Sequence, residues 1–199
     1  MHFSRLGVLL GIASIATAAN AVIIITPDPG NFEGDENILF NEEGLLQNGP
    51  VVQGITNQSR FIVDFFDAGE DLTTPSGGQA RIESMDGAFR ALTMQMHEPG
   101  VVYHTLIWNI NAAADGSVTF RVGRTGGPVH VQTFSLDRGG ENFFMFEAES
   151  EAMIWTRFES NVDVLDVKQI RIGGIVPEPA SVIALAIAGV GLLARKRRK

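Results

Sequence analysis

A chain of 199 residues with fifteen basic residues, twenty-three acidic ones and no cysteine has no route to disulfides, thiolate nucleophiles, Cys-ligated zinc or iron–sulfur centres. Six of the basic residues lie in the two terminal segments, so residues 22–175 keep nine of them against twenty-two acids, a net of −13. Such a body repels DNA, RNA and anionic membrane surfaces, which excludes nucleic acid as a partner.

In chain order, MHFSR is a short basic start and LGVLLGIASIATAA an apolar run of small residues. Ala19-Asn20-Ala21 then places small residues at both recognition positions of an A-x-A site. Residues 1–21 read as a secretory signal peptide, cut after Ala21. An exported chain without cysteine must draw its stability from its core alone.

Residues 22–175 have the length of one domain. VIIITPDPGNFEGDEN reads as one strand followed by a loop, and from there the pattern has period two. In RFIVDFF, Phe61, Val63 and Phe65 share a face, with Arg60 and Asp64 opposite. In VVYHTLIWNI, Val102, His104, Leu106, Trp108 and Ile110 alternate with Tyr103, Thr105 and Ile107, which predicts a strand covered on both sides. In SVTFRVG, Val118, Phe120 and Val122 face one way and Thr119 and Arg121 the other. VVQGIT, QARIESM, FRALTMQM, VHVQTFSL, NFFMFEA, MIWTRFES and VLDVKQIRIGGI are further strands. Asp86-Gly87, Asp115-Gly116, Pro99-Gly100 and the Gly-Gly pairs at 77–78, 126–127 and 139–140 punctuate them at sandwich-like spacing. No apolar stretch has helical spacing. The expectation is all-β: a two-sheet, jelly-roll-like β-sandwich of about nine or ten strands, with a closed barrel as the alternative.

Little in this domain points to catalysis. His104 shares a face with Leu106 and Trp108 and reads as a core or half-buried histidine; His97 and His130 flank turns and read as exposed. No HExxH or HxH spacing supports a zinc site, and no G-x-S-x-G elbow supports a serine nucleophile. DFFDAGEDL gathers Asp64, Asp67, Glu70 and Asp71 around a glycine, a weak calcium candidate because calcium wants six to eight oxygens and no EF-hand-like loop is present. Asp28, Glu33, Asp35 and Glu36 are a looser second set. The solvated acidic loop is the favoured reading, no cofactor is expected, and Glu147, Glu149 and Glu151 read as a charged turn. Trp108, Tyr103 and Trp155 could form a sugar-stacking platform, but core packing is the favoured role for Trp108 and at least one partner. The Asn57-Gln58-Ser59 sequon carries no weight.

The C-terminal end is more specific. Pro177-Glu178-Pro179 precedes fifteen residues, 180–194, in which Ser181 alone is polar, and Arg195, Lys196, Arg197, Arg198 and Lys199 close the chain. As a helix, residues 180–194 reach about 22 Å against a hydrocarbon core of about 30 Å. They are expected to form a short single transmembrane helix that spans only with local thinning of the bilayer, its basic end staying cytoplasmic as a membrane stop.

Residues 176–199, with the Pro-Glu-Pro triplet, apolar helix and Arg/Lys cluster in that order, resemble a PEP-CTERM sorting segment. The same signature is also labelled an ice-binding protein C-terminal domain. The resemblance implies an exosortase-type processing enzyme as partner, cleavage near Pro177, Glu178 and Pro179, and a Gram-negative host that makes exopolysaccharide or biofilm. It also implies transient anchoring in the inner membrane, then release to the cell surface or extracellular matrix. The expected function is therefore non-enzymatic: adhesion, or binding of extracellular polysaccharide. A carboxylate-dependent enzyme acting on that polymer is the first alternative, and a structural coat protein the second.

Overall fold

The computed structural model describes residues 22–30, 36–76 and 80–177. The expected signal peptide with Ala19 and Ala21, the helix over 180–194, the basic end 195–199, and Glu33, Asp35, Glu178 and Pro179 lie outside them. Among the described residues no helix is long and apolar enough to cross a membrane.

The fold is all-β. In chain order the strands are β1 (Ile23–Pro27), β2 (Glu36–Leu39), β3 (Asn48–Gly49), β4 (Val51–Thr56), β5 (Ile62–Phe66), β6 (Leu72–Thr73), β7 (Arg81–Ser84) and β8 (Phe89–Met96). They continue as β9 (Val101–Val102), β10 (Thr105–Ala112), β11 (Gly116–Arg124), β12 (His130–Leu136), β13 (Gly139–Ala148), β14 (Met153–Gly173) and β15 (Val176–Pro177). The count exceeds nine or ten chiefly through two-residue strands too short for any period to register.

β14 organises the molecule. MIWTRFES and VLDVKQIRIGGI, read as two strands, run together as one of 21 residues. One edge of β14 carries β11 and then β10; the other carries β8, then β7 and β2. From β8 the pairing runs through β5 and β4 to β2 and so back to β14, which closes a five-strand circuit. β13 and β1 extend the β10 side, and β12 flanks β11. Hydrogen bonding therefore joins all strands but β9 and β15 into one network, where two separately bonded sheets were expected. The reason is local: β14 leaves β11 at Ser160 and takes up β10 at Val164, and between Glu159 and Val164 it shifts register against β8. A second shift lies where Ile107 and Asn109 of β10 face Arg171 and Lys168; Gln169, inside that bulge, takes φ 53° where β7 gives way to β2. A bulge bends a strand without ending it, so one strand can change partners along its length.

The core forms where the alternating faces meet. Phe65, Leu92, Met94, Leu106, Val118, Phe120, Val122, Phe158 and Val167 are all fully buried. Trp108 sits at its centre, with ring centroids 5.5 Å from Phe158 and 5.9 Å from Phe146, both edge-on. Such arrangements add to the area each ring removes from water. The strand predicted to be covered on both sides is covered: Ile107 and Asn109 are as buried as Leu106 and Trp108.

Candidate functional site

Three of the four acids of DFFDAGEDL stay together in the fold, and Asp64 stands apart. Asp64 lies on β5; its carboxylate accepts a hydrogen bond from Gln53 Nε2 at 2.9 Å and stands 2.9 Å from His97 Nδ1. Asp67 accepts the backbone N–H of Ala68 at 2.7 Å and lies 3.7 Å from Arg157. Asp67, Glu70 and Asp71 line a cleft of about 530 Å³ together with Asp86, Pro50 and Met85. The negative charge of Asp86, followed by partial desolvation, a hydrogen bond with Asp86, and the charges of Asp67 and Asp71, raises the Glu70 carboxyl above its ordinary 4.5. Asp86 itself is held by the Ser84 hydroxyl. Among the described residues no group of three or more His, Asp or Glu side chains is placed to hold a metal ion.

Of the looser set, Asp28 ends β1 with φ 45°. Glu36 caps the turn at the sequon, accepting N–H bonds from Gln58 at 2.9 Å and Ser59 at 2.7 Å. Its slight burial works against ionisation, but the Ser59, Gln58 and Thr56 hydrogen bonds together hold its carboxyl below the ordinary value. Glu147 lies within β13, while Glu151 stands 3.6 Å from Arg124 beside the β13–β14 turn. His97 is exposed, as read; His104 and His130 are half-buried, the latter more so than read.

The aromatic trio also separates. Trp108 and Tyr103 are fully buried; the Tyr103 hydroxyl pairs with Thr156 Oγ1 at 2.7 Å, and burial pushes its phenol well above the usual range. Trp155 is half-buried on the other face of β14. Antiparallel partners share a face, so the registers align Gly123, Trp155, Gln95, Asp64 and Gln53 in one row across β11, β14, β8, β5 and β4. The next row holds Arg121, Arg157, Thr93 and Phe66. Arg157 donates to Thr93 Oγ1 and to Glu159 Oε1, each at 3.1 Å. A Cβ on Gly123 would stand 2.1 Å from the Trp155 indole nitrogen, so the indole lies on the bare backbone of that glycine. Gln53, Gln95 and Arg157 escaped the sequence reading because cross-strand partners are a property of register, which one strand's periodicity does not carry.

At its C-terminal end β14 stops at Gly173, and Gly174 turns with φ 62°. His104 Nδ1 lies 2.8 Å from the Gly174 carbonyl oxygen, and the His104 N–H donates to Gly173 O at 3.0 Å. Val176 and Pro177 then pair as β15 with Val102 and Val101 of β9.

The geometry thus describes an all-β body with one polar, aromatic sheet face, and Val176 and Pro177 are paired to that body through β9. Residues 176–199 match the PEP-CTERM protein-sorting motif family, and the chain therefore carries a PEP-CTERM sorting motif. No curated protein and no solved structure matches the chain significantly.

Proposed function

We propose that this chain is an exported surface or matrix protein, delivered by exosortase-type processing at Pro177, Glu178 and Pro179, whose β domain over residues 22–175 binds extracellular polysaccharide without catalysis. Residues 1–21 serve as its signal peptide and residues 180–194 as a transient span that the basic end holds, in a Gram-negative host. We read the body as a jelly-roll-like fold bent around β14, with β14, β8, β5, β4 and β2 closed as a small barrel.

The sorting half of the reading rests on the motif match at 176–199. The binding half rests on the Gly123–Trp155–Gln95–Asp64–Gln53 row. A half-buried indole seated over a bare glycine can present its ring to the C–H face of a sugar. The Gln95 amide and Asp64 carboxylate of the same row can donate to and accept from hydroxyls, while Gln53 is buried behind them. Mutual hydrogen bonds, such as Gln53 to Asp64, hold those groups in place before any ligand arrives, which lowers the ordering cost of binding.

Co-sedimentation with the host's own exopolymer tests the binding role. Trp155→Ala is expected to lower retention at least tenfold while leaving the far-UV circular dichroism unchanged. Equal retention of the variant would refute this face as the contact. Polymer shortened by the wild-type protein, and not by Glu70→Gln or Asp86→Asn, would instead favour the carboxylate enzyme.

A further inference from the structure

The sorting motif does not begin beyond the folded body; its first two residues are part of it. Val176 and Pro177 are paired with Val102 and Val101, and the turn leading to them is held by the His104 contacts with Gly173 and Gly174. A Cβ on Gly174 would meet His104 Cβ at 2.8 Å, and its φ of 62° suits glycine. The turn against His104 is thus a close fit.

This placement creates a steric conflict with processing. Only Glu178 and Pro179 separate Pro177 from the apolar run that starts at Ala180, so with β15 docked the chain can reach about 10 Å at most from the body to that run. An enzyme that binds the Pro-Glu-Pro segment in a cleft at the membrane must surround that backbone, and β9 already occupies one of its edges. If β15 lifts from β9, the free chain runs from Gly173 to Ala180 and reaches about 24 Å. β15 suits release: it is two residues long, and both Val176 and Pro177 are exposed.

We infer that β15 is a strap that shields the sorting motif, and that processing requires it to detach from β9. This rests on the sorting reading above. The strap makes cleavage depend on an opening of the folded domain, so a body that holds β15 more tightly is released more slowly.

The cysteine-free sequence allows a direct test. Val102 and Val176 face each other across an antiparallel pair, where Cα separations of about 4.5–5.5 Å fall in the range a disulfide spans. Val102→Cys/Val176→Cys is expressed in a host that processes the wild-type chain, oxidised with diamide, and followed by intact mass. Cleavage of the locked form is expected to slow at least tenfold and to recover on reduction, with each single variant cut like wild type. His104→Ala, which removes the His104 contact with the Gly174 carbonyl, is expected to raise hydrogen exchange at the Val176 amide and to be cut at least as fast as wild type. A locked form cut at the wild-type rate overturns the strap. A wild-type chain that is never cut overturns the sorting reading beneath it.

Discussion

Glu70 shows how a single residue's surroundings can be read as a stability term. Its carboxyl is raised above 4.5 mainly by Asp86, so the folded protein disfavours the Glu70 carboxylate relative to the unfolded chain. The penalty is present at neutral pH, eases as pH falls through the raised folded value, and is gone below 4.5, where both states are protonated. Glu70→Gln should therefore raise the urea midpoint at pH 7, with an advantage that fades toward pH 4. An advantage that persists at pH 4, or a lower midpoint at pH 7, would contradict this account of the acidic cleft. At this scale the sequence was partly legible. It placed the acids near one another, and it favoured core packing for Trp108, whose neighbours on its strand face are apolar. It did not separate Asp64 from the cleft, because the partner that engages it, His97, lies 33 positions away.

Among the elements, strands were legible from the sequence where β-formers run between turn signals. VVQGIT and FRALTMQM coincide with β4 and β8 although their burial does not alternate strictly, and the buried face of SVTFRVG is the one its valines and phenylalanine marked. What periodicity could not supply was continuity: Asn161, Val162 and Asp163 look like a break between two strands, yet the backbone runs through them as β14. Because β14 is paired along both edges, side chains on its inner face should matter far more than those on a flanking strand. Phe158 is fully buried against Trp108 and Phe89, and Phe158→Ala should cost about 3–5 kcal/mol. Phe134, half-buried on β12, packs against Phe120 and Phe144, and Phe134→Ala should cost about 1–2 kcal/mol. Chemical denaturation of both variants checks the ranking; equal losses would show that β14 is not the central strand of the core.

For the whole molecule, the terminal address was far easier to read than the domain it carries. A Pro-Glu-Pro triplet, an apolar run and a basic end form a linear pattern that needs no folding to recognise, whereas the row around Trp155 exists only once five strands have found their register. The pairing of Val176 and Pro177 with β9 was equally invisible, since a two-residue strand has no period. Structure thus adds a coupling between the two parts: the first two residues of the segment that matches the sorting motif are paired with the body. The central claim is delivery by processing at that segment. Its most direct test is the intact mass of the protein recovered outside a Gram-negative host that has a PEP-CTERM processing system. The account predicts a chain that begins near Val22 and ends within the Pro-Glu-Pro region, and a Glu178→Ala variant that stays full-length at the C-terminus in the membrane fraction. Extracellular protein that retains Arg195–Lys199, or a Glu178→Ala variant released like wild type, would contradict it.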